Sequence, residues 1–216
     1  YYVDRDDNLW IGTRNRGLNF YSRNYNPFEC LSIANKKLSY NLINAIYPEH
    51  NILYIGTDGG GLIVYDKMTN RQRIFNTNNS KLPGNNVLSL YKEGDYLWLG
   101  IFGYGLCRFS LIDNSVKTYC QPNEGFNTNH IVQIKSDGHG RIWTCGESNN
   151  VFDKRTETFL SPTSLRGKNI NSIAFDGDIA WVCTTESGLF KMNISSFNIL
   201  ARYSEDTPNI RLGSIP

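Results

Sequence analysis

The chain has 216 residues, 40% of them hydrophobic and 13% aromatic, so it can bury a sizeable core. Its 22 basic and 20 acidic side chains leave a formal net charge of +2, and no basic run is longer than Lys36-Lys37, which excludes the strong positive field that nucleic-acid binding needs. Apolar runs stop far short of the ~20 residues of a membrane-spanning helix, so any attachment to a membrane is expected through segments outside this chain.

In chain order, one unit of sequence returns five times. Residues 1–8 read as the tail of an innermost strand and its turn, because Tyr1 precedes Trp10 by the same distance as Ile134 precedes Trp143. Trp10-Ile11-Gly12-Thr13 then runs to Gly17-Leu18, and the same grammar recurs at Tyr54-Ile55-Gly56-Thr57, Trp98-Leu99-Gly100-Ile101, Trp143-Thr144-Cys145-Gly146 and Trp181-Val182-Cys183-Thr184. The aromatics stand at 10, 54, 98, 143 and 181, steps of 44, 44, 45 and 38. Each is preceded by an alternating segment such as Asn86-Val87-Leu88-Ser89-Leu90-Tyr91, with the period of two that a strand requires. A turn follows (Gly94-Asp95; Asp137-Gly138-His139-Gly140), then the aromatic strand, a Gly-containing loop, a third strand typified by Leu62-Ile63-Val64-Tyr65-Asp66, and a fourth ending near Phe75, Tyr119, Phe159 or Tyr203.

Four short strands in a unit of about 40–45 residues are the signature of a β-propeller blade, whereas helical solenoids carry a 3.6 period that is absent. The expectation is an all-β propeller of about five four-stranded blades, bounded near 1–40, 41–84, 85–128, 129–167 and 168–208. Residues 209–216 would begin another blade, since Arg211-Leu212-Gly213-Ser214-Ile215 matches Asn169-Ile170-Asn171-Ser172-Ile173. A piece of a larger ring is expected; closure of five blades by the terminal strand is the other geometry. The repeated aromatics are read as wedges between blades, because a large ring at one structural slot fills the radial taper.

Catalytic signatures are sparse. His50, His130 and His139 sit in different blades, with no His-x-x-x-His or Cys-x-x-Cys spacing for a metal and no Gly-x-Ser-x-Gly elbow. No metal or cofactor is expected. Asp4, Asp95 and Asp137 are read as turn formers, since the Asp-box spacing of propeller sialidases fails at Ser136-Asp137-Gly138-His139-Gly140-Arg141-Ile142-Trp143. The five cysteines are odd in number; Cys145 and Cys183 share one slot in consecutive blades and are read as small buried residues in place of glycine.

Residues that differ between repeats are where binding is written. The loops between second and third strands carry Arg14, Arg16, Asp58, Phe102, Tyr104, Glu147 and Glu186. Aromatic faces beside planar polar groups suit a sugar, whose C–H face stacks while its hydroxyls need directional hydrogen bonds. Arg14 and Arg16 suit a carboxylate or sulfate on an acidic glycan. Two other classes stay open: a propeller glycosidase or lyase using Asp58, Glu147 and Glu186, and a passive dimerisation scaffold.

The string Asp-x-x-Gly/Asn/Asp-x-Leu-Trp-Ile-Gly-Thr-x-x-x-Gly-Leu-x-x-Tyr/Phe is carried by residues 4–21, 54–66 and 96–109, and in weaker form by 137–153 and 181–192. It resembles the two-component regulator propeller repeat of periplasmic sensor regions in hybrid two-component proteins of Bacteroides-type bacteria. The resemblance implies a seven-bladed ring, a non-catalytic periplasmic sensor that responds to a polysaccharide-derived oligosaccharide, a homodimer formed through the parent protein, and a phosphorelay through a histidine kinase absent from this chain. The departures, Cys145, Cys183 and Asn150-Val151 in place of Gly-Leu, bear on local backbone geometry.

Overall fold

A computed structural model describes residues 1–14, 16–22, 25–119, 130–146, 150–160 and 162–204, with backbone alone at 25–29 and 150. Twenty strands form five antiparallel four-stranded meanders, each in sequence order. The first holds β1 (Tyr2–Val3), β2 (Leu9–Thr13), β3 (Gly17–Ser22) and β4 (Tyr25–Leu31). The second holds β5 (Ile43–Glu49), β6 (Ile52–Thr57), β7 (Leu62–Asp66) and β8 (Arg71–Phe75). The third holds β9 (Val87–Glu93), β10 (Tyr96–Ile101), β11 (Gly105–Ser110) and β12 (Val116–Tyr119). The fourth holds β13 (Ile131–Ser136), β14 (Arg141–Gly146), β15 (Asn150–Asp153) and β16 (Thr158–Leu160), and the fifth β17 (Ile170–Asp176), β18 (Ile179–Thr184), β19 (Gly188–Asn193) and β20 (Ile199–Tyr203). The one helical element among the described residues is a 3-10 turn, Thr163–Leu165, and none is long and apolar enough to cross a membrane. The chain divides into two compact units, Tyr1–Gln121 with three blades and Pro122–Pro216 with two.

Within each unit the blades meet through apolar layers that follow from the two-residue pleat. Along β10, Leu97, Leu99 and Ile101 join Tyr54, Leu62 and Val64 of the second blade in one core. Trp10 meets Leu53, Ile55, Ile63 and Tyr65, and Trp143 meets Ala180, Val182, Phe190 and Met192. Burying each such side chain contributes about 1.5–3 kcal/mol. Trp98 is buried and stacked 5.9 Å from Tyr119; Trp181 is half-buried and stacked 6.0 Å from Tyr203.

The glycine two residues after the aromatic lies where the next blade's first strand crosses. A Cβ on Gly56 would come within 2.9 Å of Val87 Cγ1, and one on Gly12 within 3.1 Å of Ile43 Cγ2. Cys145, the small residue at this slot in the fourth blade, is buried in the same core as Ile170; Cys183 is half-buried. The described cysteines are free thiols, and Cys120 lies outside the described residues. The strict alternation expected of the first strands is interrupted. β5, β9, β13 and β17 each place one extra residue, Asn44, Leu88, Val132 and Asn171, opposite β6, β10, β14 and β18. Such a bulge bends the strand and re-aims one side chain.

Asp4 and Asp137 shape their turns and also hold the wedge. Asp137 accepts from the His139 amide at 2.8 Å and the Trp143 indole Nε1 at 3.0 Å; Asp4 accepts from the Asp6 amide at 3.0 Å and Trp10 Nε1 at 2.9 Å. Burial alone pushes both carboxyls up, but these donors outweigh it and hold each below the usual carboxylate range. Asp95 stands in the β9–β10 turn, and its backbone carbonyl accepts at 2.9 Å from the amide of Leu111, just past β11. His50 occupies the β5–β6 turn at φ +49°, His130 precedes β13, and His139 sits in the β13–β14 turn, 3.7 Å from Asp178. The segments 209–216 and 147–149, on which a further blade and one loop were placed from sequence, lie outside the described residues.

Candidate functional site on the loop face

In the first, second and fifth blades the loop between second and third strands is closed by residues that made the repeat recognisable. Thr13, Thr57 and Thr184 donate their hydroxyls to the carbonyls of Gly17, Gly61 and Gly188 at 2.8, 2.7 and 2.8 Å. Gly61 adopts φ +86°, and a Cβ there would collide with the Phe75 carbonyl oxygen, so no other residue fits. These three loops are therefore fixed at their bases, and what varies between them is displayed from a fixed frame.

In the first unit these loops lean on the connection between one blade and the next. Asn85 accepts through its carbonyl from the amides of Gly59 and Gly61 at 3.1 and 2.9 Å. Its side-chain Oδ1 accepts from the Thr77 amide at 2.9 Å, as Asn41 Oδ1 does from Ile33 at 2.8 Å. Asp58 bridges Asn86, and the Asn86 carbonyl accepts from the Phe102 amide at 2.9 Å, so Asp58 and Phe102 flank one asparagine. Phe102 is 49% exposed and Tyr104 45% exposed, large values for aromatics on ordered loops.

Tyr104 lies over Gly84, whose Cβ would stand 2.8 Å from the ring. At the preceding blade the arrangement is reversed: Tyr40, the residue equivalent to Gly84, lies over Gly59 and Gly60, and Gly60 is equivalent to Tyr104. Each of these two junctions thus holds one aromatic ring and a glycine to receive it, supplied from opposite sides. Arg14 and Arg16 are exposed on the first blade's loop, with Cys30 Sγ 3.5 Å from the Arg16 carbonyl. Neither guanidinium, nor the Asp58 carboxylate, has a side-chain hydrogen bond or ion pair among the described residues.

Of the residues singled out from sequence, Arg14, Arg16, Asp58, Phe102 and Tyr104 belong to the first unit, and Asp58 and Phe102 are neighbours. Glu186 is exposed in the second unit, and Glu147 lies outside the described residues. Tyr40, Asn85 and Asn86 carry no mark in the motif; only the alignment of the two inter-blade connections, with Asn35 above Asn79, Leu38 above Leu82 and Asn41 above Asn85, points to them. Among the described residues no group of three or more His, Cys, Asp or Glu side chains could hold a metal.

Four-stranded meanders in sequence order, with Trp10, Tyr54 and Trp143 wedged against the next blade inside each unit, define a β-propeller. No protein-family model and no curated protein matches the chain. Among solved structures, it is similar to the extracellular domain assigned to the hybrid two-component system BT3049 of B. thetaiotaomicron, at TM-score 0.78 and 24% identity over 94% of this chain and 28% of that one. It is also similar to the extracellular domain assigned to BT4673 of the same organism, at TM-score 0.70 and 23% identity over 92% and 26%. The WD40 β-propeller domain of Doa1 matches at TM-score 0.68 with 11% identity over 94% and 66%. These likenesses establish the fold. The chain spans about a quarter of the length of the two B. thetaiotaomicron domains.

Proposed function

We propose that this chain is part of the extracytoplasmic sensing propeller of a hybrid two-component signal-transduction protein. Its loop face binds a polysaccharide-derived oligosaccharide, and the parent protein, a periplasmic homodimer anchored by segments outside this chain, passes the signal to a histidine kinase. The chain itself performs no catalysis. The repeat motif and the likeness to extracellular domains of two-component systems support this reading.

One observation carries it: Phe102 and Tyr104 hold half their surface in water on a loop whose backbone is fixed, beside the unpartnered carboxylate of Asp58. The half of each ring left in water buries no apolar surface, and ring faces beside a planar acceptor complement a pyranose. Arg14 and Arg16 extend the face toward acidic sugars. Isothermal titration with a panel of neutral and acidic oligosaccharides tests the reading. Binding is expected to weaken at least tenfold in Phe102→Ala and Tyr104→Ala; unchanged affinity in both variants removes this face from the function.

A further inference from the structure

The turn after the third strand begins alike in four blades. The amides of Lys67, Leu111, Lys154 and Ile194 donate to the carbonyls of Asn51, Asp95, Gly140 and Asp178 at 2.8, 2.9, 3.1 and 3.0 Å. At the junctions inside each unit, the side chains at this position differ in kind. Leu111 packs against the core that holds Tyr54, and Ile194 is fully buried in the core that holds Trp143. Lys67 instead carries its ammonium 5.3 Å above the centroid of the Trp10 ring. Where the other two junctions have an apolar cap, a cleft of about 170 Å³ opens between the first and second blades, at the opposite end from the binding loops.

The hydrogen-bond inventory of this cleft is lopsided. The Asp4 carboxylate already accepts from the amides of Asp6 and Asn8 at 3.0 Å, from Asn8 Nδ2 at 3.0 and 3.2 Å, and from Trp10 Nε1 at 2.9 Å, which fills its lone pairs. The Tyr65 hydroxyl is committed to Asn70 Oδ1 at 2.6 Å. What is left over is donors: the three N–H bonds of Lys67, which has no carboxylate or other acceptor among the described residues, and the Asn70 amide nitrogen. The Lys67 cation and one free amide donor beside the aromatic floor of Trp10 and Phe20, with the Asp4 lone pairs occupied by its own turn and Trp10, complement an oxyanion held on the Lys67 side of the cleft.

We propose that this cleft is an anion site, in which the Lys67 ammonium pairs with the carboxylate, sulfate or phosphate group of a small ligand and the Asn70 amide donates a second bond. It is independent of the loop face and stands or falls without it.

The test is titration of the purified chain with sodium acetate, sodium sulfate and sodium phosphate, at an ionic strength held constant with sodium chloride, followed by thermal stability and by amide chemical shifts. Saturable binding of at least one of the three is expected, with a rise in Tm that grows with concentration, and the anion that binds identifies the group. Lys67→Met is expected to weaken binding at least tenfold, and Lys81→Met, at an exposed lysine that does not line this cleft, to leave it unchanged. Lys67→Leu, which copies Leu111, is expected to abolish binding while raising the Tm of the unliganded protein, so that loss of binding is separated from loss of folding. Absence of saturation by all three anions, wild-type affinity in both Lys67 variants, or loss of binding in Lys81→Met overturns the proposal.

Discussion

Replacing Asp137 by alanine removes the carboxylate that holds the fourth blade to the fifth. Its side chain is fully buried beside Arg141, which is 14% exposed and only 2.6 Å away at Nε, and Arg141 in turn donates to the Ile194 carbonyl of the fifth blade at 3.0 Å. Alanine leaves the buried Trp143 indole N–H without an acceptor, a cost of about 1–3 kcal/mol. It also strips a nearly buried guanidinium of its partner, and breaking such a pair costs about 3–5 kcal/mol. The two losses share one carboxylate and do not add in full, so Asp137→Ala is expected to cost about 4 kcal/mol and lower Tm by roughly 10 °C or more. Denaturant unfolding of wild type, Asp137→Ala, Trp143→Phe and the double variant measures this, with a coupling of about 1 kcal/mol expected between the two sites. The pH dependence has a definite sign. Because the folded carboxyl lies below its unfolded value of 3.8, its contribution is complete above that value and is lost as pH falls through the depressed folded one. The gap between wild type and Asp137→Ala is therefore expected to close toward pH 2. A cost below about 1 kcal/mol, or a gap that persists in acid, refutes the assignment of Asp137 as the holder of the wedge.

Gly61→Ala forces a left-handed conformation and a collision with the Phe75 carbonyl, and is expected to cost at least about 2 kcal/mol in denaturant unfolding; a neutral outcome contradicts the closed loop. Burial pushes the Cys145 thiol up to about 12, so at pH 8 it should resist alkylation by iodoacetamide until the protein unfolds, while the half-buried Cys30 is modified in the native state. Peptide mass mapping of the alkylated cysteines checks the order, and native-state labelling of Cys145 as fast as Cys30 contradicts that burial.

Period, strand order and wedge were legible in the residues because each is a local matter. The pleat makes Leu97, Leu99 and Ile101 face one way and Trp98 the other, whatever lies beyond. A threonine three positions before a turn, and a glycine where φ must be positive, close a loop with its own neighbours. The candidate site was legible only as a set of loops: Phe102 and Tyr104 could be named, but not Tyr40, Asn85 or Asn86, which stand in connections that carry no repeat motif of their own. The role of Asp137 was half legible, as a turn former but not as the acceptor for Trp143.

What the chain alone determined is the blade: a unit of about 44 residues whose alternation, turns and aromatic slot can be met by four antiparallel strands. What tertiary structure decided is everything that passes from blade to blade. The exchange of tyrosine and glycine between residues 40 and 60 and residues 84 and 104, the bulge in every described first strand from the second blade onward, and the cation above Trp10 all depend on residues brought together by stacking. The reason is physical: hydrogen bonding and the pleat act over a few residues along the chain, whereas side-chain packing and electrostatics act through space between positions some 20 to 60 residues apart.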